Sequence, residues 1–94
     1  MKKLYKFRED FGRMGEVEGL FIADELDVRD AIGQVVYLGE VLGKHSDIEV
    51  EITKASLKVI PVPQETIDQL LTAFGTSTLC GMNPLEYIEY GEED

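Results

Sequence analysis

Ninety-four residues, 44% of them hydrophobic and with no apolar run near the ~20 needed to span a bilayer, predict one globular domain near the low end of what folds without staples. Nineteen acidic against nine basic residues give a net charge of −10, which repels phosphate backbones and disfavours direct DNA or RNA binding over most of the chain. The lone Cys80 excludes an internal disulfide and a cysteine-based zinc site, and makes a reducing cytoplasm the expected compartment.

The opening stretch MKKLYKFRED is basic but has no apolar core or small-residue cleavage site, so it is not expected to be a signal peptide. From Lys3 to Gly12, Tyr5, Phe7 and Phe11 share one parity and Lys6, Arg8 and Asp10 the other, which predicts a half-buried strand. Arg13, Met14 and Gly15 make a turn, and Glu16 to Ala23 a second strand. A short helix follows, capped by Asp24 or Asp27, carrying Val28, Ala31 and Ile32 on one face and closed by Gly33.

Gln34 to Leu42 is the next predicted strand. Its VVYL run is apolar on both parities, which points to a central place in a sheet. Asp47 to Thr53 alternates, with Ile48, Val50 and Ile52 toward a core and Asp47, Glu49, Glu51 and Thr53 toward water or a partner. The apolar parity then switches to Leu57 and Val59, which requires a turn or bulge at Lys54, Ala55 and Ser56. Glu65 to Phe74 reads as a helix, with Ile67, Leu70, Leu71 and Phe74 on one face, Pro63 at its start and Gly75 at its exit. Thr76 to Met82 is expected to be a polar loop. Asn83, Pro84 and Glu86 open a last short helix reaching Tyr90, and residues 91–94 form a frayed tail. The predicted fold is α+β: a small antiparallel sheet of about five strands, in the order β-β-α-β-β-β-α-α, with the helices packed on one face.

Two stretches carry polar groups that chemistry could use. The first is Gly43, Lys44, His45, Ser46 and Asp47, with Glu40 just before it. The bland reading is a hairpin tip facing water. A three-residue loop would set Glu40 opposite Val50, and a two-residue loop would set it opposite Glu49; either is slightly unfavourable, a weak pointer to a site. Catalysis by His45 is disfavoured, because neighbours on a turn point different ways and Ser46 has no partner or oxyanion hole. The phosphate-loop pattern is also missing, since only three residues separate Gly39 from Gly43 and histidine follows Lys44. The second stretch, Asn83 to Tyr90, places Tyr87 and Tyr90 among glutamates, a composition found at protein interfaces. Cys80 is expected to be a small buried hydrophobe.

Five of the nine bases precede Met14; from there on seventeen acids face four bases, a net of −13. The leading expectation is therefore a small acidic cytoplasmic interaction protein, with no membrane contact, no cofactor and no metal centre. It would bind, and inhibit or regulate, a basic protein by imitating the charge of a nucleic acid. Its binding residues would be Glu40, Gly43, Lys44, His45, Ser46, Asp47, Glu49, Glu51, Tyr87 and Tyr90, and an enzymatic role is disfavoured. The alternative is a small-ligand or divalent-metal binder, or an enzyme, with its site at Glu40 and the 43–47 turn. Homodimerisation through sheet edges is an expectation of either reading.

Overall fold

Alternation along the first twenty-four residues produces a long hairpin. Strand β1 (Lys2–Asp10) runs antiparallel to β2 (Glu16–Asp24) in continuous register, from Lys2 opposite Asp24 to Asp10 opposite Glu16. The reversal is a 3-10 turn over Gly12–Met14, in which the Asp10 carboxylate accepts from the Gly12 amide at 2.8 Å. The structure, a computed structural model, describes residues 1–39 and 47–88.

Helix α1 (Glu25–Ala31) starts as the sequence predicts. Asp24 Oδ1 accepts from the Leu26 amide at 2.9 Å, and the acidic Glu25 and Asp27 of the first turn suit the helix dipole. Strands β3 (Val35–Gly39) and β4 (Ile48–Glu51) follow, and a 3-10 turn over Lys54–Ser56 leads into β5 (Leu57–Ile60). That turn accounts for the parity switch: Thr53 and Ser56 exchange side chain–backbone hydrogen bonds in a capping box, so that Ile52 and Leu57 are both buried. Helix α2 (Gln64–Phe74) begins after Pro63 and ends at Gly75, whose left-handed φ of 69° lets its amide reach the Leu71 carbonyl. Strand β6 (Thr78–Gly81) completes the set.

The α+β class with antiparallel sheets is the observed one. Among the described residues there are two sheets rather than one of about five strands: a four-stranded sheet in the order β5-β1-β2-β6, and a separate β3–β4 ribbon. On one face of the larger sheet, Tyr5, Phe7, Val17, Phe21 and Leu57 form the main core, with the Tyr5 and Phe21 rings stacked at 5.7 Å. Helix α1 covers it with Val28 and Ala31, the ribbon with Val36, Leu38, Ile48 and Val50, and the C-terminal segment with Ile88. On the other face, Leu4 and Ile22 meet Ile67 of α2, with Leu70 and Leu71 packed beside them. The two helices thus lie on opposite faces, not on one, because β1 and β2 carry buried apolar side chains on both parities.

Four further expectations change. The polar loop 76–82 contains β6, held to β2 by backbone pairing. The last helix is a 3-10 turn over Pro84–Tyr87. Cys80 is exposed on strand β6, on the α2 side of the sheet beside its partner Leu20 but outside both core clusters. Phe74, placed on the buried face of α2 by its spacing, is 53% exposed at the end of the helix. No helix among the described residues is long and apolar enough to cross a membrane.

Candidate functional site

The outer face of the β3–β4 ribbon is where the predicted acidic residues gather. The strands pair Val35 with Glu51, Val36 with Val50 and Tyr37 with Glu49, then shift so that Gly39 faces Ile48. Gly39 has φ +77°, the left-handed conformation that a glycine bulge uses. Alternation then buries Val36, Leu38, Ile48 and Val50 and turns Val35, Tyr37, Glu49 and Glu51 outward. Val35 is 65% and Tyr37 55% exposed, so the VVYL run is not a central strand; among the described residues it has one partner strand, and it presents two large side chains to water. The Tyr37 hydroxyl donates to Asp47 Oδ1 at 3.0 Å, fixing the ring beside the carboxylates.

This pairing replaces both registers expected for Glu40. Val36 faces Val50 and Tyr37 faces Glu49, a register that neither expectation gave for these described residues, while the pairing of Glu40 itself lies outside the described residues. Glu40, Gly43, Lys44, His45, Ser46 and Tyr90 lie outside the described residues. Asp47, Glu49 and Glu51 share the exposed side of the ribbon. Tyr87 stands on the 3-10 turn that packs against β3, with its hydroxyl 3.8 Å from Met82 Sδ, so the structure brings its segment alongside the ribbon. That turn is anchored from within. Buried Asn83 accepts from the Leu85 amide at 3.0 Å and donates to Thr78 Oγ1 at 3.0 Å, and Thr78 in turn donates to Glu86 Oε2 at 2.6 Å.

Some carboxylates outside this face are matched: Arg8 forks onto Glu16 at 2.8 and 2.9 Å, Lys3 reaches Glu25 at 3.0 Å, and the N-terminal ammonium lies 3.3 Å from Asp24. The Arg8 hydrogen bonds hold the Glu16 carboxyl below its usual range, and the Leu26 amide does the same for Asp24. Among the described residues neither Glu49 nor Glu51 belongs to an ion pair. Of the ligand-binding alternative, only Asp47 is described, and it is engaged by Tyr37; among the described residues no group of three or more His, Cys, Asp or Glu side chains could hold a metal ion. What the ribbon offers is two large exposed side chains flanked by carboxylates that form no ion pair among the described residues. Sequence reasoning missed Val35 and Tyr37, because a run apolar on both parities does not show which parity faces water. Comparison with protein-family models, curated proteins and solved structures finds no match.

Proposed function

We propose that this chain is a protein-interaction module that binds a basic protein surface through the outer face of the β3–β4 ribbon, with Tyr87 on its flank. The observation that carries this reading is the placement of Val35 and Tyr37, each more than half exposed, directly across the strands from Glu51 and Glu49, neither of which is in an ion pair among the described residues. Aromatic and aliphatic anchors supply contact area, and carboxylates select a cationic partner and speed its approach. A protein that binds nucleic acid has such a surface, and covering it would inhibit or regulate that protein. An exposed, unpaired Cys80 suits a reducing cytoplasm, where surface thiols stay reduced.

The test is affinity capture on the wild-type chain and on a Tyr37→Ala/Glu49→Lys variant, at about 0.1 M and about 1 M salt, between which the screening length falls from ~10 to ~3 Å. Partners with basic surfaces are expected to be retained by the wild type at low salt and lost both at high salt and on the variant. Recovery indifferent to salt and to the variant would overturn the reading. Sedimentation heavier than the 10.6 kDa monomer, abolished by Tyr37→Ala, would instead assign the ribbon to homodimerisation.

A further inference from the structure

The sheet face that carries α2 is only partly covered by it. Leu4 and Ile22 are buried with Ile67, whereas Lys6, Arg8 and Lys58, on the same parity of β1 and β5, are exposed. Lys6 lies directly opposite Lys58 across the β1–β5 pair, and both point away from Phe7 and Leu57 in the main core. Like charges so placed repel. Carboxylates stand on this face too, but their closest partners are other groups. Glu16 and Glu18 are drawn to Arg8, and Asp10 accepts from the Gly12 amide. Among the described residues neither Lys6 nor Lys58 belongs to an ion pair.

The two lysines line a cleft of about 300 Å³ together with Arg8, Asp10, Ala55 and Ser56. The Arg8 guanidinium is held in place by Glu16 through Nε and Nη2, which leaves Nη1 for another acceptor. A neighbouring groove of about 460 Å³ shares Lys6 and is walled by Leu20 and Ile60.

We propose that this cleft binds a small phosphate monoester, its phosphoryl oxygens bridged by Lys6 and Lys58 with Arg8 as the third donor. Two ammonium groups that form no ion pair among the described residues can each donate to a phosphoryl group, whose charge of about −1.5 to −2 near pH 7 draws both more strongly than a monocarboxylate would. The cleft is at the small end of ligand sites, so it suits one phosphoryl group rather than a nucleotide triphosphate. The apolar groove beside Lys6 takes the body of the ester. This site lies on the opposite sheet face from the ribbon and does not rest on the interaction reading.

The experiment is an amide-shift titration of the full chain with phenyl phosphate, benzoate and a short phosphoserine peptide, repeated on Lys6→Gln and Lys58→Gln. Both variants remove the like-charge pair, so loss of the fold is not expected. Phenyl phosphate should give saturable shifts centred on Lys6, Arg8 and Lys58. It should bind at least about tenfold more weakly to either variant, as loss of one charge-assisted bond requires. Benzoate should bind more weakly than phenyl phosphate. A linear, non-saturating response, equal affinity for the variants, or equal affinity for benzoate would overturn the proposal; tighter binding of the phosphopeptide would overturn its small-molecule form.

Discussion

Single residues decide how closely the backbone of this domain can approach itself. Where β2 meets β6, a Cβ on Gly19 would run into the Met82 carbonyl, and one on Gly81 would run into the Glu18 carbonyl. Only glycine allows the two segments to touch there, and Gly81 also needs its φ of +69°. Charged residues act at the same scale through protonation. The Glu16 and Asp24 carboxyls are held below their ordinary range, the first by the Arg8 side chain and the second by the Leu26 amide. A carboxyl depressed in the native state contributes stability above its unfolded pKa, and that contribution is lost as pH falls through the folded value. Stability should therefore begin to fall below about pH 4. A Glu16→Gln/Asp24→Asn variant should show a smaller drop in urea midpoint between about pH 5 and about pH 3 than the wild type. An identical drop would place the acid sensitivity in other groups.

Elements differ in how much of their structure the sequence declares. In α2, Ile67 is the one fully buried side chain, so Ile67→Ala should cost about 2–5 kcal/mol, whereas Phe74→Ala, at an exposed helix end, should stay within about 0.5 kcal/mol. Denaturant unfolding of the two variants separates these outcomes. The bounds of α2 were legible because Pro63 and Gly75 impose them locally, and the Lys54–Ser56 turn was legible because Ile52 and Leu57 differ in parity yet both belong inside. Strand β6 was not legible: Thr78, Leu79, Cys80 and Gly81 show no alternation, and what makes them a strand is pairing with β2, a tertiary fact. The second helix-covered face was half legible, since Leu20, Phe21, Ile22 and Ala23 are apolar on both parities. Of the candidate site, the outward carboxylates followed from alternation alone. The exposure of Val35 and Tyr37 did not, because VVYL reads the same in a buried strand and in a ribbon with one neighbour. Register was hidden for a related reason: the shift at Gly39 offsets the pairing, and the apolar alternation of β3 and β4 does not show it.

For the whole molecule, nineteen acids against nine bases mean that folding gathers like charge, and the few ion pairs of the β1–β2 region offset only part of it. Screening should therefore stabilise the domain: the thermal midpoint is expected to rise between about 0.01 M and about 0.15 M sodium chloride, as the screening length falls from ~30 to ~8 Å. A midpoint that falls would mean that the ion pairs outweigh the repulsion. Strand β1 is the organising centre, flanked by β2 from the adjacent stretch of chain and by β5 from some fifty residues later, with Tyr5 opposite Phe21 on one side and Val59 on the other. On a ribosome adding about 5–20 residues per second, the first hairpin emerges seconds before the strand that closes its outer side. Throughout that interval the backbone donors and acceptors along Leu4 to Phe7 are open to any passing strand. Lys6, midway along that open edge, puts a charge where a neighbouring nascent chain would have to pair, so the side chain that repels Lys58 in the finished fold also guards the newborn hairpin against aggregation.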